Sequence, residues 1–361
     1  MKKRHVNIPI FIPHEGCPNN CVFCNQHTIT QVEDGGSKRD IVPEIEACLS
    51  TLDTNECDCE IAFFGGSFTG IPREDMVRLL RTAYGYIESG KVQSIRLSTR
   101  PDYIDEEILD ILEKYGVRHI ELGIQSMDDK VLSASGRGHV ASATERACRM
   151  ITERGFLLTG QMMIGLPGAT SESEIATAKK ICEMGAKSAR IYPTVVFRGT
   201  ELCNMSERGE YIPLTNEEAA VRSAKVYKVF VQNGVKLLRI GLQSGEGLLP
   251  ENVYGGASHS AIGEMTVSEY YLEMMLDMCR EMIKNGEPKS RDAVLTVFCA
   301  EGETSKVSGQ KRVNKEKIIG FFEKEGISIR NIKIKENKDI RKNSIKIQAE
   351  SIKSEVNDSC I

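Results

Sequence analysis

At 361 residues, 40% hydrophobic and 27% charged, the chain has an ordinary globular composition, long enough for one large domain and a smaller one. No apolar run approaches the roughly 20 residues that span a bilayer, and the basic start Met1-Lys2-Lys3-Arg4 is not followed by a signal peptide's apolar stretch, so a cytoplasmic protein without a membrane partner is expected. Twelve cysteines in such a chain point to metal binding or catalysis and away from a secreted disulfide framework.

The first candidate strand is Ile8–Ile12. Directly after it, Cys17-Pro18-Asn19-Asn20-Cys21-Val22-Phe23-Cys24 packs three thiols into eight residues. Thiolate is the soft ligand of iron–sulfur clusters, and three cysteines hold three irons while leaving a fourth open to a ligand. On spacing alone a zinc site, with His14 or His27 as fourth ligand, or three unrelated cysteines stay open as readings. Further along, Cys57 and Cys59 read as surface thiols or a second metal half-site. Cys148, Cys182 and Cys279 fall in helices and read as core, and Cys203 is a candidate hydrogen-atom relay.

Short apolar runs then alternate with amphipathic stretches. Strands are predicted at 60–64, 94–98, 119–124, 160–164, 188–192 and 237–240. Helices are predicted at 42–52, 73–89, 105–115, 141–154, 172–184 and 216–232. Thr215 and Glu218 form a capping box for the last of these. This rhythm predicts a parallel sheet in a complete or partial (β/α) barrel, with function on loops at the strand C-terminal ends.

Polar groups gather at those ends. Gly65-Gly66 follows the second strand, where paired glycines permit close backbone approach to a ligand. Arg100-Pro101-Asp102 ends the third strand. Gln125-Ser126 ends the fourth and is followed by Gly136-Arg137-Gly138-His139. Gln161 stands on the fifth, ahead of Gly165-Leu166-Pro167-Gly168.

Leu242 to Gly263 is glycine-rich and reads as a long functional loop or a crossing connection, followed by a helix at 267–284. Asn285-Gly286-Glu287-Pro288 marks a domain boundary, giving a barrel with extension at 1–285 and a small α/β module at 286–361. In the module the predicted order is strand (293–299), helix (315–325), strand (329–335) and strand (344–348). The segment after Gly286 carries 16 Lys and Arg against 12 Asp and Glu in a chain of net charge −4. Such a basic tail fits a polyanionic partner or a solvated surface equally. Lys306 lies just before, and Lys311 and Arg312 on, a loop, Gly309-Gln310-Lys311-Arg312, that opens a helix. It is an incomplete version of the Gly-x-x-Gly loop with which KH domains clamp RNA.

The Cys-x-x-x-Cys-x-aromatic-Cys arrangement on a loop opening a (β/α) pattern resembles the radical S-adenosylmethionine (SAM) superfamily. More narrowly, residues 8–215 resemble the radical SAM domain of the Elongator catalytic subunit family. The match runs through Arg100-Pro101-Asp102-Tyr103, Glu121-Leu122-Gly123, Gln125-Ser126, Arg137-Gly138-His139, Leu166-Pro167-Gly168, Tyr192-Pro193-Thr194 and Arg198-Gly199-Thr200.

The resemblance implies a partial (β/α) radical SAM TIM-like barrel, to which the chain's own pattern adds the small C-terminal α/β module. It implies a [4Fe–4S] cluster on Cys17, Cys21 and Cys24, and SAM on the open iron. It also implies a 5′-deoxyadenosyl radical that abstracts hydrogen from substrate, with electrons from an external ferredoxin- or flavodoxin-type donor. Gly65 and Gly66 would meet the SAM amino group. By analogy with the more distant oxygen-independent coproporphyrinogen oxidase family, Gln125, Arg137 and Gln161 would contact its ribose and carboxylate.

The implied substrate is tRNA, at the wobble uridine. A small molecule or peptide is the alternative, and a non-enzymatic iron–sulfur RNA-binding protein the third reading. Three departures qualify the likeness. The first two cysteines are closer together than in the Elongator family, and Ser98 stands where that family has Glu. Only about 75 residues follow Gly286, where the family carries an acetyltransferase domain.

Overall fold

In the computed structural model the described residues are 4–12, 15–17, 21–24, 36–53, 56–242, 248–288 and 293–350. Seven of the apolar runs pair side by side. They are β1 (Arg4–Ile12), β2 (Cys57–Gly65), β3 (Ser94–Thr99), β4 (Val117–Gln125), β5 (Leu157–Ile164), β6 (Ser188–Pro193) and, after a short strand β7 (Val195–Phe197) outside the sheet, β8 (Lys236–Ile240). Every pairing among the seven is parallel and the order is β1-β2-β3-β4-β5-β6-β8. The connections between them carry the helices α1 (Val42–Ser50), α2 (Arg73–Glu88), α3 (Glu106–Lys114), α4 (Asp129–Ala134), α5 (Ala141–Glu153), α6 (Ser171–Glu183), α7 (Glu201–Glu207) and α8 (Asn216–Gln232). Thr215 caps α8 through the reciprocal bonds of a capping box, as its spacing with Glu218 predicts.

Alternation along the strands sorts side chains between two faces. Ile8, Ile10, Ile61, Phe63, Leu97, Ile120, Leu122, Met162 and Ile191 are all fully buried and share the helix-covered face. Residues of the other parity include Phe11, Glu60, Phe64, Arg96, Glu121, Gln161 and Arg190. Arg190 on β6 lies over the Phe64 ring on β2, 5.7 Å from its centroid. With β3, β4 and β5 between them, the two meet only because the sheet curls, so this second face is concave. The architecture is a half-barrel of parallel strands.

Near the strand N-termini the concave face is closed by a buried ionic cluster. Glu60, 1% exposed, accepts hydrogen bonds from Arg96 Nε at 2.8 Å and Ser94 Oγ at 2.9 Å, and also pairs with His119. Burial alone would raise its pKa. The His119 hydrogen bond and the Arg96 charge outweigh it and bring the carboxyl down to about 2. A carboxyl depressed in the folded state stabilises the fold above its unfolded pKa, and that stabilisation drains away as pH falls from about 4.5 to about 2. The stability gap between wild type and Glu60→Gln, from urea midpoints, is therefore expected to shrink by about 3 kcal/mol across this window. A constant gap would assign the stabilisation to other carboxylates.

The chain divides into compact units at Met1–Ser260 and Ala261–Ile361, about 25 residues before the boundary expected at Gly286. In the first unit, β7 pairs antiparallel with β9 (Val253–Gly256), so part of the glycine-rich segment expected as loop is a two-stranded ribbon. In the second, α9 (Ile262–Lys284) packs with β10 (Ala293–Cys299), α10 (Thr304–Ser308), α11 (Val313–Lys324), β11 (Ile329–Glu336) and β12 (Ile345–Glu350). β10 is central, parallel to β11 and antiparallel to β12. The bonds that tie α9 to this unit run to residues far along the chain. Tyr271, fully buried, bonds through its hydroxyl to Glu303, and Asn314 Nδ2 donates to Ser268 O at 3.1 Å. The Asn285-Gly286 turn ends a helix inside the unit.

Candidate functional site

The cysteine loop leaves the C-terminal end of β1 and lies backbone to backbone on the segment after β2. Gly66 N–H donates to Ile12 O at 2.7 Å and Ser67 N–H to Glu15 O at 3.0 Å. A Cβ on Gly66 would approach Glu15 O closer than 3.0 Å, and one on Gly16 would meet Ser67 O in the same way. Gly16 also has φ +74°, the left-handed region in which side chains are strained. Glycine at both positions lets the two segments interlock.

Between the second and third thiols, Val22 and Phe23 pack against Val196, Leu202 and Cys203. Val22 is also held by backbone bonds, from its own N–H to Ser135 O at 3.1 Å and from Leu202 N–H to its carbonyl at 2.8 Å. The aromatic residue of the motif thus anchors the loop. Cys203, 4% exposed, lies in that packing beneath Phe23. Cys57 and Cys59 are 5% and 1% exposed, so they are core residues and not the surface thiols expected.

Cys17 is exposed, Cys21 buried and Cys24 half-buried. Among the described residues no three His, Cys, Asp or Glu side chains are gathered into a metal set, and His14 and His27 lie outside the described residues. The chemistry around the thiols fits an anionic metal–thiolate group. Arg137 Nη1 donates to Cys21 Sγ at 3.4 Å. Arg100, 3% exposed, is locked by two 2.9 Å bonds to Asp102 and by one to Arg137 O at 2.5 Å, while its buried Nη1 has no partner. Desolvation raises the Cys17 thiol, and the Arg100 and Arg137 charges oppose it. Two buried guanidiniums beside Cys17 and Cys21 supply the positive charge that a thiolate-bound cluster needs.

Gln125 adopts φ +64°, where the β4–β5 register shifts, and its buried Oε1 has no partner. Such an outlier is held by its surroundings and is common at ligand sites. The structure brings three expected residues around Gly123. A Cβ there would lie 3.1 Å from Gln125 Nε2 and 3.5 Å from Arg137 Nη2, and Gln161 is its register partner on β5. Beside Arg137, burial first and then that neighbour's charge lower His139 to about 4, which keeps it neutral at pH 7.

The Leu166-Pro167-Gly168 loop is fixed from outside the barrel. Glu174, 3% exposed, accepts the Gly165 N–H at 2.7 Å and is gripped by Arg222 at 2.6 and 2.9 Å. In the C-terminal unit, Lys306 is paired with Glu303 at 3.3 Å. Lys311 and Arg312 are exposed on the turn before α11, with φ +50° and +66°. Arg312 holds the left-handed conformation that a glycine would take in a complete Gly-x-x-Gly loop.

The parallel half-barrel and its cysteine loop define a class. Residues 11–181 match the radical SAM superfamily and residues 186–274 the radical SAM C-terminal domain, and the chain belongs to that superfamily of enzymes, whose members bind a [4Fe–4S] cluster and SAM.

Within the class, several of the similar proteins carry Elongator or tRNA uridine(34) acetyltransferase names. The chain is 30% identical over 193 residues to a Methanocaldococcus jannaschii protein named tRNA uridine(34) acetyltransferase, covering 52% of this chain and 35% of that one. It is 30% identical over 172 residues to Saccharomyces cerevisiae Elongator complex protein 3, covering 42% and 31%. An uncharacterized M. jannaschii protein is 34% identical over 162 residues, 44% of this chain and 49% of that one. The chain therefore spans a third to a half of the length of these relatives. The structure of Methanocaldococcus infernus Elp3 superposes with a TM-score of 0.57 at 22% identity over 79% of this chain and 64% of that one, which supports the fold.

Proposed function

We propose that this enzyme uses its radical chemistry in the modification of a tRNA base, the wobble uridine first among candidates. The observation that carries the reading is the 30% identity, over 52% of this chain, to a protein named tRNA uridine(34) acetyltransferase. In this reading Cys17, Cys21 and Cys24 hold the cluster and leave one iron for SAM. Gly65 and Gly66 receive the SAM amino group, and Gln125, Arg137 and Gln161 its carboxylate and ribose. When bound, the cluster and SAM supply a 5′-deoxyadenosyl radical that takes one hydrogen atom from the substrate. The cluster would take its electron from an external one-electron donor of ferredoxin or flavodoxin type.

Lys311 and Arg312 contact RNA phosphates from the turn before α11. Lys306 is a weaker candidate because Glu303 already holds it. The half-barrel face that carries Gln125 and Gln161 keeps the target near the radical and away from water.

Nucleoside mass spectrometry of tRNA from a strain lacking the gene tests the reading. The expected result is loss of one modified uridine, restored by the wild-type gene and not by Cys21→Ala. An unchanged nucleoside profile, with active SAM cleavage in vitro, would reject tRNA in favour of a small-molecule or peptide substrate.

A further inference from the structure

Two aromatic rings face the concave side of the sheet. Phe11 and Phe64 are register partners on β1 and β2, with ring centroids 6.2 Å apart and planes inclined by 43°. Phe11 is 39% exposed, although it stands on the inner face of the half-barrel. An aromatic ring left open inside a curled sheet leaves apolar surface in water that nothing in the strand's own packing covers.

The Arg190 guanidinium lies over Phe64, 5.7 Å from its centroid. Its Nε donates to Glu121 at 3.0 Å and its Nη1 to the Tyr192 hydroxyl at 3.5 Å, and its Nη2 has no partner among the described residues. Glu121 is 2% exposed, so the guanidinium plane is fixed from below by a buried carboxylate. Arg190 is also the register partner of Gln161, which pairs in turn with Gly123. The aromatic pair and the guanidinium therefore border the residues grouped around Gly123.

We propose that Phe11, Phe64 and Arg190 form a holding site for a planar nucleobase of single-stranded RNA, with Glu121 as the positioning residue for Arg190. The inference rests on the RNA reading above and names the groups that grip the base. Aromatic and guanidinium faces are the surfaces on which unpaired bases stack. Glu121 fixes Arg190 through Nε, which leaves the outer N–H groups of the guanidinium as hydrogen-bond donors for a base carbonyl. Lys311 and Arg312 attract the backbone, whereas this site senses the base.

The test compares a uridine heptamer with an abasic ribose-phosphate heptamer carrying the same number of phosphates. Anaerobically reconstituted full-length protein is used with SAM present, and binding is followed by fluorescence anisotropy. Wild type is expected to bind the uridine heptamer about tenfold tighter than the abasic one, the scale of one stacked base. Phe64→Leu and Arg190→Lys are expected to bring the ratio to within about twofold. Phe11→Leu, at a part-exposed position, serves if either of those variants fails to fold by circular dichroism. Equal affinities of wild type for the two heptamers, or an undiminished ratio in the folded variants, would overturn the inference and leave the RNA reading standing. No binding of either heptamer at low salt would overturn both.

Discussion

Single replacement of Cys17, Cys21 or Cys24 by alanine is expected to strip bound iron and acid-labile sulfide from anaerobically reconstituted protein. 5′-Deoxyadenosine formation with dithionite is expected to fall by at least about a hundredfold, beyond the loss typical of altering a neighbour of a metal ligand. A cluster with one open iron has no spare protein ligand, so losing a second ligand exposes a corner to solvent. Cys21 is expected to be the most sensitive position, because it is buried and Arg137 Nη1 sits 3.4 Å from its sulfur. Removing that thiol leaves the Arg137 charge facing an apolar methyl. Cys279→Ala is the control. Cys279 is fully buried in α9, outside the half-barrel unit, and its replacement is expected to cost about 1 to 3 kcal/mol of stability with iron content unchanged. Wild-type protein that takes up zinc but neither iron nor sulfide would overturn the cluster assignment. So would an alanine variant with full iron and full SAM cleavage.

How far the sequence carried depended on the range over which its signals act. Most strand and helix positions in the half-barrel were legible because each is a local pattern, an apolar run closed by a glycine or opened by a cap, whereas α4 and α7, of six and seven residues, are too short to show one. β5 begins at Leu157, earlier than the predicted 160, because the exposed Leu157 at the start of the strand pairs with His119 of β4. β7 and β9 have three and four residues, too few to show alternation, and they pair across more than fifty residues. The unit boundary was misread for a related reason. Gly286 does end a helix, but only distant contacts such as Tyr271 with Glu303 show that this helix belongs to the C-terminal unit.

The thiols, Gln125, Arg137 and Gln161 stood out in the sequence because each lies on, or in the connection after, a strand of the barrel pattern. Phe11, Phe64, Glu121 and Arg190 carry no motif as a set. Their shared signal is parity, the same concave-facing register on β1, β2, β4 and β6. Parity becomes a site only once the curl of the sheet brings β2 to β6. Strand-end motifs mark a pocket's rim, and its floor is written in alternation across strands that a linear reading treats as scaffold.

Gly66→Ala is expected to disable the cluster loop without touching a thiol. The backbone of Gly66 is not in the left-handed region, so alanine is conformationally allowed there and the obstacle is purely steric. The new methyl would meet the Glu15 carbonyl oxygen, a backbone atom two residues before Cys17, at less than 3.0 Å. A backbone carbonyl does not swing aside like the end of a lysine, so the loop itself must move. Forced overpacking of this kind costs about 1 to 3 kcal/mol. It would also weaken the adjoining Ser67 N–H bond to Glu15 O, now 3.0 Å. Iron retained after reconstitution is expected to drop by about tenfold, because ligand positions must hold to a few tenths of an ångström. Gly85→Ala, in the interior of α2 with open space around the added methyl, is expected to leave iron content unchanged and to raise stability by about 0.5 to 1 kcal/mol. Iron content also separates two roles for Gly66. If this glycine serves only the SAM amino group, Gly66→Ala keeps full iron and loses SAM affinity. If it seats the cysteine loop, iron and SAM cleavage fall together, which is the result the packing of Gly66 on Glu15 predicts.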